Sequence, residues 1–303
     1  MLRQSGDFIR ILQSASELER ALATDSAWLI AYDENHNTLL HHVVYASTRN
    51  DESYAVDIRA VLQRVPDLDF RGQDNNQNTP LHIAAWHGGV DNTSSLLFPF
   101  FIEKAVQSGF DFSILGEMGL TVLQVAAKVR DKLATPSNNN VKTILDRASD
   151  PAINQLSAEG ATAFYYAVAS ANFMEADALL THGANPLLCR HSRYDTIALI
   201  KSQIELITVR IAENPQSYVQ LDPLLVSYQN LLQSIQRHPF VRQYAEIRKN
   251  ARILFQGQQQ AGTFFAMPDE MLIKIAAHTA NSEVYAEQAA TKIGMTYFKR
   301  PLT

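Results

Sequence analysis

Cys189, His191 and Asp195 lie close together in the sequence, and a thiol, an imidazole and a carboxylate are the parts of an activated cysteine nucleophile. Catalytic Cys and His normally meet across a fold, however, not two residues apart, and no family signature surrounds these three. Cys189, the single cysteine, reads instead as a partly buried free thiol. His36, His41, His42 and His87 supply further imidazoles, but no set of them has the spacing of metal ligands on one helix face. There is no His-Glu-x-x-His and no Gly-rich phosphate loop. The expectation is a chain without cofactor or metal that is not an enzyme. A catalytic site in its C-terminal half is kept as an alternative.

Composition points the same way. The chain has 303 residues, 46% of them hydrophobic and 19% charged, enough apolar surface for a packed core. A formal charge of −5 offers no basic surface for nucleic acid. One cysteine permits no disulfide within the chain and suits a reducing cytosol. Residues Met1–Arg10 lack the apolar run of a secretory signal. The run Leu96–Ile102 is too short to span a bilayer and contains Pro99.

What must position any functional residue is a repeat. Asn78-Thr79-Pro80-Leu81-His82-Ile83-Ala84-Ala85-Trp86-His87-Gly88 has echoes at Thr38-Leu39-Leu40-His41, Thr121-Val122-Leu123-Gln124 and Thr162-Ala163-Phe164-Tyr165. Each threonine suits a helix N-cap. Leu39, Leu40, Leu81, Leu123 and Phe164 then point inward, and the Ala84-Ala85 type of pair permits close helix approach. This pattern resembles the ankyrin repeat, T-P-L-H-x-A-A-x-x-G. Leu179-Leu180-Thr181-His182-Gly183-Ala184-Asn185 resembles that family's repeat end. The resemblance implies an all-α solenoid of stacked helix pairs, with four clear repeats over residues 25–187 and a possible degenerate fifth around Thr196. Repeats one to three are longer than the family's, with inserts near Ser47–Tyr54, Gly88–Ser95 and Val129–Asn140. Their Ser, Asn, Asp and Gly content predicts loops, with some lengthening of helices. Residues 1–24 are expected to form an N-terminal capping helix, or the degenerate second helix of a half repeat, through Phe8, Leu12, Leu18 and Leu22.

Residues 188–255 read as a degenerate repeat followed by amphipathic helices, one of them carrying Tyr228, Leu231, Leu232 and Ile235 on one face. The Gln-rich stretch 256–262 reads as a linker. In the last segment, 263–303, Met267-Pro268-Asp269-Glu270-Met271-Leu272-Ile273-Lys274-Ile275 resembles the opening of an F-box. It lacks that family's late Trp and middle leucines. Two readings stay open. Pro268, Met271, Leu272 and Ile275 dock a ubiquitin-ligase subunit, or they are buried as a capping hairpin. Repeats followed by such a segment also resemble host-range proteins of some viruses and ankyrin effectors of intracellular bacteria. That places the chain in its own cytoplasm or in the cytosol of a host.

The ankyrin resemblance implies protein binding through finger tips and inner helices. On those positions stand Tyr45, Asn76, Trp86, His87, Met118, Leu120 and Lys128, an apolar centre with polar neighbours. His41 and His82 are expected to tie neighbouring loops together, with Gln124 and Tyr165 in their place further on. The partner is another protein; no nucleic acid and no membrane span are expected.

Overall fold

The computed structural model describes residues 1–49, 52–66, 68–87, 92–129, 140–188, 195–213 and 219–246. They fall into two compact units, the first Met1–Ala184, the second taking in Asn185–Leu188 and the chain from Asp195 onward.

The first unit is a stack of helix pairs in two layers. Its inner layer is α1 (Ser5–Ile11), α3 (Leu39–Ser47), α5 (Pro80–His87), α7 (Val122–Lys128) and α9 (Ala163–Ala169). Its outer layer is α2 (Ala15–Thr24), α4 (Glu52–Gln63), α6 (Asn92–Gln107), α8 (Asn140–Arg147) and α10 (Phe173–Thr181). Each helix packs on its predecessor in the same layer. Thr38, Thr79, Thr121 and Thr162 each stand immediately before an inner helix, as their spacing predicts. Thr121 Oγ1 accepts from the Gln124 N–H at 3.2 Å, and Thr162 Oγ1 from the Tyr165 N–H at 3.2 Å, which satisfies donors that a helix start leaves open.

The N-terminal cap is a pair of helices where a single capping helix or the second helix of a half repeat is expected, and α2 stands as such a second helix against α4. The chain breaks after Ile11, and Ser14 caps α2 by accepting from the Glu17 N–H. Phe8, Ile11, Leu12 and Leu18 are buried. In repeats one and two the extra residues lengthen the outer helices. α4 has 12 residues and α6 has 16, against 9 for α10. The longer α6 carries an aromatic block, Phe98, Phe100 and Phe101, with Phe101 edge-on to Phe70 at 5.6 Å.

In the second unit Thr196 opens one 18-residue helix, α11 (Thr196–Glu213), in place of the short inner helix a fifth repeat requires. No Gly or Pro interrupts it. It packs with α12 (Asp222–Arg237), where Tyr228, Leu231 and Ile235 are buried and Leu232 is half-buried. A further helix begins at Pro239. No helix among the described residues is long and apolar enough to cross a membrane.

Candidate functional site

Ahead of α3, α5, α7 and α9 the chain forms a finger closed by one backbone bond: Asp33 N–H to Asn37 O, Asp74 N–H to Asn78 O, Gly116 N–H to Leu120 O and Ser157 N–H to Ala161 O, all 2.8–3.0 Å. In the first two fingers an aspartate closes the turn. Asp33 Oδ1 accepts from the N–H groups of Asn35 and Asn37, and Asp74 Oδ1 from those of Asn76 and Asn78. The equivalent tip residues His36, Gln77, Gly119 and Gly160 all have positive φ, from 60° to 86°. Glycine takes that conformation freely, whereas His and Gln do so at a cost. Gln77→Gly should therefore stabilise the protein by roughly 0.5–1 kcal/mol, read as a raised denaturant midpoint with an unchanged m-value.

Buried side chains lock each finger to the next. The Thr38 N–H donates to His41 Nδ1 at 3.0 Å, so the proton sits on Nε2, which donates to Asn78 O at 3.0 Å. His82 repeats this, accepting at Nδ1 from the Thr79 N–H and donating through Nε2 to Leu120 O at 3.1 Å. Gln124 does the same with an amide. Oε1 accepts from the Thr121 N–H at 2.9 Å, and Nε2 donates to Gln155 O at 2.7 Å and Ala161 O at 3.3 Å. Burial pushes the His41 imidazole below its ordinary range and takes His82 down to about 4, so His82 is neutral at pH 7.

Upon this frame stand the residues expected to bind. Trp86 is 50% exposed, at the same helix position as Tyr45 and Lys128 on the neighbouring inner helices. Met118 is 53% exposed at the tip of the third finger, itself with φ 61°. Lys128 brings its Nζ to 3.9 Å from Met118 Sδ and 5.6 Å from the Tyr166 ring centre. The helix end that carries Lys128 is held from the next repeat: Ser170 Oγ donates to Lys128 O, and Asn172 Nδ2 to Ala127 O and Val129 O. His87 and Tyr45 are half-buried and meet edge-on at 6.3 Å, while Asn76 is exposed.

Leu120 does not belong to this face. It is 3% exposed, because the residue before the threonine turns inward in repeats two to four; Asn78 and Ala161, its equivalents, are buried too, and Asn37 in repeat one is half-buried. Only its carbonyl, which accepts from His82, serves the neighbouring finger. Asp195 caps α11, its Oδ1 accepting from the Ile197 and Ala198 N–H groups. Cys189 and His191 lie outside the described residues, as do Pro268, Met271, Leu272 and Ile275. Among the described residues no cluster of His, Cys, Asp or Glu could hold a metal ion.

Sequence reasoning missed a second polar cluster. His42 Nε2 donates to Asp33 Oδ2 at 3.1 Å, and its ring stacks on Phe8 at 4.5 Å between centres. Ser5 Oγ donates to the same Asp33 oxygen at 2.8 Å. These contacts seat the cap on repeat one. The signal available was the His41-His42 doublet, of which only the first histidine fits the repeat pattern.

Four fingers, four inner helices opened by threonine and the His/Gln cross-links together define an ankyrin-repeat solenoid. Comparison with solved structures agrees. The ankyrin repeat domain of Bcl-3, a member of the IkappaB protein family, is similar with a TM-score of 0.51 at 19% identity, over 68% of this chain and 85% of that one. The complex of the predatory endopeptidase Bd0816 from Bdellovibrio bacteriovorus with its immunity protein Bd3460 gives a TM-score of 0.44 at 17% identity, over 61% and 86%; nothing is drawn from it. Likeness at this level is one of fold. No family model and no curated protein matches the sequence.

Proposed function

We propose that this chain is a protein-binding module that holds its partner on the finger tips and inner helices of the solenoid. The observation that carries the reading is the exposure of Trp86 and Met118 on a frame otherwise closed by buried cross-links. Large apolar side chains left half in solvent, with Lys128, His87, Asn76 and the Tyr45 ring around them, have the make-up of a binding hot spot. The positive φ of Met118 adds to it, since strained backbone persists where the surroundings fix it and clusters at ligand-holding sites.

Capture from a cell lysate, followed by identification of partners, tests this when the wild-type chain is compared with Trp86→Ala/Met118→Ala. The double variant should lose the captured protein at least about tenfold, as for a hot-spot residue, and melt within a few degrees of wild type. Equal capture by both overturns the assignment of this face. Two finer versions share the reading: an effector that holds a host protein, and a ligase adaptor that docks a ubiquitin-ligase subunit through Pro268, Met271, Leu272 and Ile275. A ligase subunit among the captured proteins supports the second, and its loss in Leu272→Ala/Ile275→Ala assigns the docking residues.

A further inference from the structure

A pocket of about 430 Å³ opens in the first unit between the end of α1, the first finger and α3. That volume suits a short piece of peptide or a small molecule. Its walls come from three elements: Ile9, Leu12 and Gln13 from the cap, Asn35 from the finger, Tyr45 and Arg49 from the end of α3 and just beyond. The cap makes it a pocket, because α1 closes the side that would otherwise be open.

The charges of the walls are unequally engaged. Asp33 lines the pocket, but it is only 1% exposed and its two oxygens already accept from the Asn35 and Asn37 N–H groups, Asn37 Nδ2, Ser5 Oγ and His42 Nε2. The finger's other carboxylate, Glu34, accepts from the backbone N–H of Ser5 and shares with Asp33 the single proton of the Ser5 hydroxyl. What remains open is one cation, Arg49, with three groups that can each donate, the Tyr45 hydroxyl and the Gln13 and Asn35 amides. Arg49 is exposed and pairs with no carboxylate among the described residues. No hydrogen bond engages the Tyr45 hydroxyl or the side-chain amides of Gln13 and Asn35 among the described residues. A guanidinium, a phenol and two amides beside the apolar Ile9 and Leu12 match a carboxylate carried next to an apolar group. A cation would be repelled by Arg49, and a wholly apolar group would leave its guanidinium without an ion partner.

The pocket is continuous with the face already described. Tyr45 forms part of its wall and meets His87 edge-on at 6.3 Å, and Trp86 precedes His87 on α5. We propose that the pocket receives an acidic side chain, Asp or Glu, of an extended partner segment, with Arg49 as its ion partner and Tyr45, Gln13 and Asn35 as supporting donors. The segment then crosses to Trp86. This deepens the protein-binding reading and rests on it.

The test presents a random peptide library to the full chain and to three variants: Arg49→Glu, Tyr45→Phe and Trp86→Ala. Arg49 is exposed, so its replacement leaves packing intact, and matching thermal melts establish that each variant is folded. The wild-type chain should retain peptides that carry Asp or Glu beside an apolar residue. Arg49→Glu should bind those peptides at least about tenfold more weakly and turn the preference toward Lys and Arg. Tyr45→Phe should weaken them by a smaller factor at unchanged preference, and Trp86→Ala should weaken retained peptides whatever their charge. An unaltered acidic preference in Arg49→Glu overturns the pocket assignment. So does wild-type binding without any acidic preference; dependence on Trp86 would then leave the wider reading standing. A wild-type chain that retains no peptide also overturns the pocket assignment, while the wider reading stands or falls on the lysate capture.

Discussion

Replacing Leu81 by Ala should destabilise the protein by about 2–5 kcal/mol, among the largest effects of any single truncation in the stack. Leu81 is fully buried in α5, a helix that packs on α3, α6 and α7 at once. Side-chain truncation there removes apolar contact and leaves a cavity that three neighbours would have to close. They are not free to do so, because His41 and His82 fix the spacing of the fingers before and after α5. Leu123, fully buried one repeat later, should behave alike. In a linear stack each repeat is held by its neighbours, so loss of the second repeat uncouples the cap and first repeat from the rest. The urea midpoint of Leu81→Ala should fall, and its transition should broaden as that cooperativity weakens. Val56→Ala on the outer layer, at a site 55% exposed, is the control and should shift stability by less than about 0.5 kcal/mol. A Leu81→Ala chain within about 1 kcal/mol of wild type would show that the inner layer is loose enough to collapse around the gap.

The repeat itself was legible because its signals are local and chemical. A threonine before an apolar residue, a polar ring or amide three positions on, and paired small residues recur on one period, and each names a place in the helix pair. What the period could not carry was less legible. Ser14 is a helix cap with Glu17 three residues on, a readable stop, yet the apolar spacing from Phe8 to Leu22 runs straight through it and suggests one helix. Asn92, Thr93, Ser94 and Ser95 have the composition of a loop, but they begin the 16-residue α6, where the buried phenylalanines that follow override a weak local preference. Leu120 stands inside and not on the face because its backbone closes the third finger against Gly116 and accepts from His82, a long-range arrangement that sequence spacing does not carry. The pocket left no trace at all. It forms only when α1, distant in sequence, closes over α3, and Arg49 falls just past the helix with no motif around it.

Acid should weaken this fold well before its carboxylates titrate, and one substitution should remove much of that weakness. His82 is fully buried and neutral, with Nδ1 committed as an acceptor, so a proton on that nitrogen would break the bond to the Thr79 N–H and place a charge in the core. Its pKa stands at about 4 in the folded chain against an ordinary 6.5. The sign follows from proton counting. Between pH 6.5 and 4 the unfolded chain binds this proton and the folded chain does not, so stability is full above 6.5 and declines as pH falls toward 4. A displacement of that size corresponds to roughly 3 kcal/mol. His41, displaced in the same direction by the same cause, adds to it. Burial is the largest single influence on Asp33 and pushes its carboxyl up, but the hydrogen bonds of Ser5, Asn37 and Asn35 together outweigh it and hold it below its ordinary range, so its contribution is lost only on further acidification. The third repeat already contains a remedy, since Gln124 makes both of the histidine's bonds without a titrating group. His82→Gln should therefore fold at pH 7 with a stability near that of wild type and lose less on going to pH 4, and His41→Gln/His82→Gln less again. Urea midpoints of the three proteins at pH 7, 5.5 and 4 provide the comparison. Parallel losses in all three would mean that the buried imidazoles are not what acid attacks. Convergence of the midpoints at pH 7 and their separation at pH 4 would assign the acid sensitivity to the cross-links that set the fingers, and with them the surface that carries Trp86 and Met118.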